Sequence, residues 1–307
     1  MTDTAPPSGH GPAGAPTGDI APLPTDAAAA QAPRIRYAGP VAGLPPQTGM
    51  TTDTAIFTDA YAVIPRTVMR DIVTSYLPGW TGMRLWMLAR PLTGFAETFS
   101  QYVVELAEGG GSDVPDADPG IQHAIFATGG EVQITIAGVT HSLRPGGFAY
   151  VPAGIAWSLH NAGPGHAGFH WWRKRWQPAP GTERPDPIIA QEQDIAPSMM
   201  PDTDGAWGTT RFMDPADLRH DMHITVVTFK PGGSIPFAET HVMEHGLFVL
   251  EGKAVYRLNR DWVEVGPGDF MWLRAFCPQA CYAGGPGPFR YLLYKDVNRH
   301  APLWPSG

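Results

Sequence analysis

Three ligand-type side chains recur on a short stretch of this chain. Glu239 is followed at two by His241 and then at four by His245. In an extended strand, residues two apart point to the same face. Glu239, His241 and His245 therefore share a parity, with a slight bend needed to bring His245 in. Two imidazoles and a carboxylate on one face make an inner shell for a divalent ion. Neutral imidazole suits Mn, Fe, Co, Ni or Zn, and the carboxylate shifts the preference toward the harder Mn and Fe. The competing reading is a polar strand face with unrelated histidines. Charged groups on a buried face need partners, which favours the metal.

Strands and turns must position this set. Val132–Gly138 (VQITIAG) and Ala254–Leu258 (AVYRL) alternate apolar and polar residues with period two, the mark of half-buried strands. Asn259-Arg260-Asp261 supplies a turn after the second of these. The chain holds 36 glycines and 33 prolines against only 16% charged residues, a composition of short strands and tight turns. No long amphipathic helix is visible. A short one is possible between Ala60 and Leu77, limited by Pro65 and Pro78.

The chain also repeats itself. An offset of 122 residues lays Gly110-Gly111-Ser112 on Gly232-Gly233-Ser234, and His123 on His245. Phe126 then meets Phe248, Gly130 meets Gly252, Pro145-Gly146 meets Pro267-Gly268, and Phe148 meets Phe270. Turn glycines and aromatics in one register predict two copies of one β unit. At the same offset, Ala117, Pro119 and Trp157 stand opposite Glu239, His241 and Gln279. Only His123 is kept, so the first copy is expected to be metal-free and structural. His160, His166 and His170 follow Trp157 on what reads as an outgoing strand and loop, and are not expected to bind metal.

The second copy, with its Gly-rich turn, His-rich strand and Gly252, resembles the first cupin motif. Gly268-Asp-Phe-Met-Trp-Leu followed by Pro278-Gln279 resembles the second, with Gln279 where cupins carry a metal-binding His. Glu-x-His-x-x-x-His with a distal Gln, followed by Tyr294-Lys295-Asp-Val-Asn298-Arg299, resembles the (S)-ureidoglycine aminohydrolase family. The resemblance runs from about residue 36 to 300 and is strongest from Met222 to Arg299. It implies an all-β bicupin, two tandem double-stranded β-helix (jelly-roll) barrels, with Mn2+ in the C-terminal barrel. The implied ligands are Glu239, His241, His245 and Gln279. The implied substrate contacts are Tyr256, Tyr291 and Lys295, with Lys295 a point charge for a carboxylate. Glu239 is the candidate for proton transfer and Lys295 a second catalytic candidate. The implied substrate is a small ureide, deaminated hydrolytically in purine catabolism. Alternatives are an Fe(II) cupin dioxygenase and a non-catalytic ligand-binding bicupin.

The expected layout is a disordered tail over residues 1–34, an N-terminal cupin over 35–180 and a C-terminal cupin over 181–307. The tail is Ala, Pro, Gly, Thr and Asp with almost no large apolar residue, too little to order itself. Net charge is −8 with no Lys/Arg run, which argues against nucleic acid. No apolar stretch of about 18 residues exists to span a membrane. Cys277 and Cys281 have neither CxxC spacing nor good strand-disulfide geometry, and read as reduced thiols of a cytoplasmic protein. Trp80 to Trp86 is rich enough in aromatics to be core or subunit interface, and a homo-oligomer is expected.

Overall fold

The computed structural model describes residues 37–39, 55–70, 73–91 and 95–296. The predicted tail, and the Asn298-Arg299 end of the motif, lie outside them. Among the described residues there are 21 strands and only single turns of 3-10 helix. The helix considered between Ala60 and Leu77 is instead the strand Tyr61–Ile64, followed by a 3-10 turn at Arg66–Val68. Pro65 sits between them and stops the strand ladder, because it has no N–H to donate.

The alternating segments behave as their patterns require. Val132–Ile136 buries every second residue, and so does Lys253–Leu258. The strands Ile121–Gly129 and His245–Glu251 are buried on nearly every residue. The packing explains this. Leu247 and Val249 point into the second barrel, whereas Phe248 and Leu250 join a cluster shared with Trp86, Phe126, Phe148 and Trp172 of the first half. The two halves therefore press their large sheets back to back, and a central strand meets apolar neighbours on both faces. Leu85 and Trp86 of the strand Thr81–Ala89 are fully buried, and Trp80 packs on Trp171 at 5.5 Å. That aromatic stretch is core.

The first half forms one nine-stranded sheet wrapped on itself around the long strand Ser100–Ser112. The second half splits into an eight-stranded sheet and a facing four-stranded sheet of Ser234–Glu239, Gln279–Gly284, Lys253–Leu258 and Asp261–Val265. A cut at residue 180 separates the repeats in sequence but not in the sheets. Tyr61–Ile64 pairs with Phe270–Leu273 of the second half, while Ile188–Gln191 pairs with Gly147–Val151 of the first. Each half adds strand to one side of the other's sheet, which also covers a sheet edge.

Strand register refines the repeat. His123 pairs with Val151 and Arg173, and His245 pairs with Leu273 and Lys295, all at the offset of 122. Trp157 faces Ile136 as Gln279 faces Leu258. The strand before these obeys a different offset. Trp171 pairs with Tyr102 but Leu293 with Thr225, and Ser112 pairs with Leu159 but Ile235 with Cys281. There the offset is one residue longer, so the glycine match misaligned that strand by one. Gly130 and Gly252 keep their equivalence, both at positive φ. A Cβ on Gly252 would lie against the Pro288 carbonyl oxygen, so only glycine fits that turn.

Candidate metal and active site

The seven residues singled out in the second copy line one cavity of about 150 Å³ between its two sheets. The four-stranded sheet supplies Glu239, Gln279 and Tyr256; Glu239 and Gln279 are cross-strand partners. The eight-stranded sheet supplies His245, Tyr291 and Lys295, and His245 and Lys295 are cross-strand partners. His241 lies in the connection between the sheets, where its carbonyl accepts the Phe276 N–H at 2.6 Å. The His241 and His245 ring centroids are 5.1 Å apart, and His241 Nε2 is 3.3 Å from Glu239 Oε1.

His245 carries the strongest sign of a missing partner. It is 5% exposed, and its Nε2 has no hydrogen-bond partner. Burial, then the charges of His241 and Lys295, pushes its pKa down to about 3. The ring is therefore neutral at ordinary pH, with a lone pair available, as metal ligation requires. Among the described residues, no three His, Cys, Asp or Glu side chains already stand converged on one point. Glu239 and His241 lean on each other instead. The donor set still fits a divalent ion, because the Gln279 amide lines the same space and His245 Nε2 is otherwise orphaned.

The aromatic part is dry. Tyr256 is 1% exposed and its hydroxyl lacks a well-formed hydrogen bond; Cys281 and Tyr291 are its polar neighbours. Burial raises the pKa of both tyrosines, so both keep their protons and can only donate to or share a ligand's oxygen. Their rings meet near-perpendicularly at 6.3 Å. Burial lowers the pKa of Lys295, and the positive charge of Arg211 lowers it further.

Arg211 and Thr225 were not among the residues singled out, yet both line the cavity. Trp207, Thr209 and Arg211 alternate on one strand and all face it, a period-two pattern that the repeat comparison passed over. Glu244, inside the ligand motif, faces away. Its carboxylate accepts from the Glu97 and Thr98 backbone N–H groups at 2.6 and 3.0 Å, the Thr98 hydroxyl at 2.6 Å and Trp272 Nε1 at 2.6 Å. It ties the segment just before His245 to the first half.

In the first half, aromatic rings close on the corresponding histidine. Trp157 lies 4.8 Å from the His123 ring, and Trp171 donates to His123 Nδ1 at 3.3 Å. The longer offset places Asp116, not Ala117, opposite Glu239. Asp116 lies 4.0 Å from His123 Nε2 and accepts from Arg173 Nε at 2.7 Å. Asp118 stands opposite His241, replacing Pro119, and pairs with Arg175. Of the other histidines, His160 bonds Asp113 at 3.0 Å, while His170 is fully buried against Phe248. Cys277 and Cys281 are buried and unpaired.

Two such β barrels in one chain define a bicupin. The Cupin domain model matches residues 102–173 and 225–294. The (S)-ureidoglycine aminohydrolase of Arabidopsis thaliana is 32% identical over 229 residues, 74% of this chain and 74% of the relative. That of Escherichia coli is 29% identical over 233 residues, 76% of this chain and 87% of the relative. A crystal structure of a Pseudomonas aeruginosa glyoxylate-induced protein superposes with TM-score 0.83 at 60% identity, covering 88% of this chain and 99% of that one. The chain belongs to the (S)-ureidoglycine aminohydrolase family. No helix among the described residues is long and apolar enough to cross a membrane.

Proposed function

We propose that this protein hydrolyses (S)-ureidoglycine to (S)-ureidoglycolate and ammonia with Mn2+ held by Glu239, His241, His245 and Gln279. The observation that carries the reading is the single cavity in which these four meet Tyr256, Tyr291 and Lys295. Manganese, when bound, supplies Lewis-acid polarisation and a template for orienting the substrate.

The chain's own groups divide the remaining work. Lys295 is a cation for the substrate carboxylate. Tyr256 and Tyr291 offer hydroxyl donors from an apolar wall that excludes water. Glu239 is the carboxylate on the cavity and takes the proton from the attacking water, then returns it to the departing amine. The carbon–nitrogen bond breaks and a carbon–oxygen bond forms, with water supplying oxygen and proton. A bound cation beside Glu239 would lower the basicity of its carboxylate, so the proton-transfer role would be strongest where the ion does not fully engage it.

The test is ammonia release from freshly generated ureidoglycine, with and without Mn2+, after subtracting the spontaneous rate. Release above background that depends on the metal supports the reading; a rate equal to background removes it. A homo-oligomer is part of the same proposal. Val255, Trp262 and Tyr282 lie together on the outer face of the four-stranded sheet, with Trp262 60% exposed. Light scattering after size exclusion tests it.

A further inference from the structure

The cavity wall contributed by the eight-stranded sheet is rich in donors and poor in acceptors. Arg211 pairs in register with Thr225, and Thr225 with Leu293, two residues from Lys295 on the same strand face. Arg211, Thr225 and Lys295 all line the cavity. Among the described residues, neither Arg211 nor Lys295 has a carboxylate within 4.0 Å; the carboxylate on the cavity, Glu239, leans on His241. Two cations on one wall without a counter-charge are unfavourable to each other.

Thr225 adds an independent sign. It is 4% exposed, and its Oγ1 has no partner. A buried hydroxyl left unsatisfied is costly, so an acceptor in the cavity is the natural completion. The Arg211 Nε donates to Thr209 Oγ1 at 3.1 Å, which fixes the stem and leaves the two terminal nitrogens for another acceptor.

We propose that Arg211, Thr225 and Lys295 form one subsite for a ligand carboxylate, and that Arg211 selects acids over their neutral amides. This rests on the reading of the cavity given above, and adds Arg211 and Thr225 to it. Lysine offers a point charge, whereas arginine offers a planar fork matched to a carboxylate. Together with the Thr225 hydroxyl they satisfy both oxygens.

Two stable probes test this on the Mn2+-loaded full chain by calorimetry: N-carbamoylglycine, with a ureido group and a carboxylate, and its carboxamide. Arg211→Gln should weaken the acid at least about tenfold, as expected for a lost charge-assisted hydrogen bond. The carboxamide should change by less than about twofold. For ureidoglycine, KM should rise about tenfold with kcat nearly constant, the signature of uniform binding. Arg211→Lys should restore part of the loss, and Thr225→Val should weaken the acid by about threefold. Unchanged melting of the variants excludes misfolding. Equal losses for acid and amide, unchanged binding of the acid, or no binding of the acid to the natural protein would overturn the proposal. If Arg211 governs acid binding while no ammonia is released above background, the subsite stands and the ureidoglycine reading falls.

Discussion

At equivalent places in the two barrels, one half partners its polar groups with its own side chains and the other leaves them facing a cavity. His123 and His245 occupy the same register position, and burial drives both to a pKa of about 3. His123 has Trp171 as a donor and Trp157 against its ring; His245 has an orphan nitrogen facing open space. Beneath Trp157, Asp116 is neutralised by Arg173, whereas among the described residues Glu239 is paired with His241 and no carboxylate lies within 4.0 Å of Lys295. A guanidinium in the first half does for a carboxylate what a bound cation is proposed to do in the second. The lesson is that one strand arrangement can either pair its buried charges internally or leave them facing a cavity, without a change of strands.

The sharpest way to break this contrast is to write the first half into the second. Gln279→Trp should fill the cavity, abolish Mn2+ binding by metal analysis and drop ammonia release to background. Glu239→Gln separates proton transfer from architecture. It should keep the fold and cut turnover at least about a hundredfold, the usual size of general-base catalysis; near-normal rates with metal bound would place the base elsewhere.

The next two changes concern how the halves support each other. Glu244→Ala leaves four donors unserved at the junction with the first half. Urea unfolding should show a loss of about 4 kcal/mol, given about 1–3 kcal/mol for each buried group left unpaired and partial rescue by water. Mn2+ affinity should fall with it, because the next residue is His245. Trp157→Ala in the first half should cost about 3–5 kcal/mol of stability through the cavity it leaves. In the folded protein kcat/KM should stay within about twofold. A larger catalytic loss would show that the first barrel takes part in the reaction.

The smallest expected effect is a pH dependence away from the site. His123 and His170 are both buried neutral, with pKa values held near 3 by burial. Unfolded histidine binds its proton near pH 6.5. The folded pKa is depressed, so the stability is fully present above pH 6.5 and is lost as pH falls toward 3. One unit below pH 6.5, each histidine costs about 1 kcal/mol. His170→Leu should flatten the fall in urea midpoint between pH 6.5 and 5; an unchanged slope would show that His170 does not titrate with unfolding.

Much of the second barrel's cavity lining was legible because it depends on local spacing. Glu239, His241 and His245 share parity, and Gln279 follows a recognisable motif. Tyr256, Tyr291 and Lys295 came only through the resemblance, and they line the same cavity. Arg211 and Thr225 were missed because neither belongs to a motif; what joins them is the pairing of two strands. The misassigned Ala117 and Pro119 have a similar cause. Glycines fit either register when read as letters, and only the ladder of Ser112 with Leu159 and Ile235 with Cys281 reveals the extra residue.

By itself, then, the order of residues determined which side chains share a face, that one β unit occurs twice, and that the second copy carries ligand-type groups. These follow from covalent geometry, which sets side-chain direction over a few residues. Tertiary structure alone decided that Tyr61–Ile64 and Ile188–Gln191 cross between halves, and that Glu244 serves the junction while His245 serves the cavity. It also decided that Arg173 answers Asp116 while Lys295 lines the cavity. Burial and charge partners come from strands distant in the chain, and no local spacing encodes them.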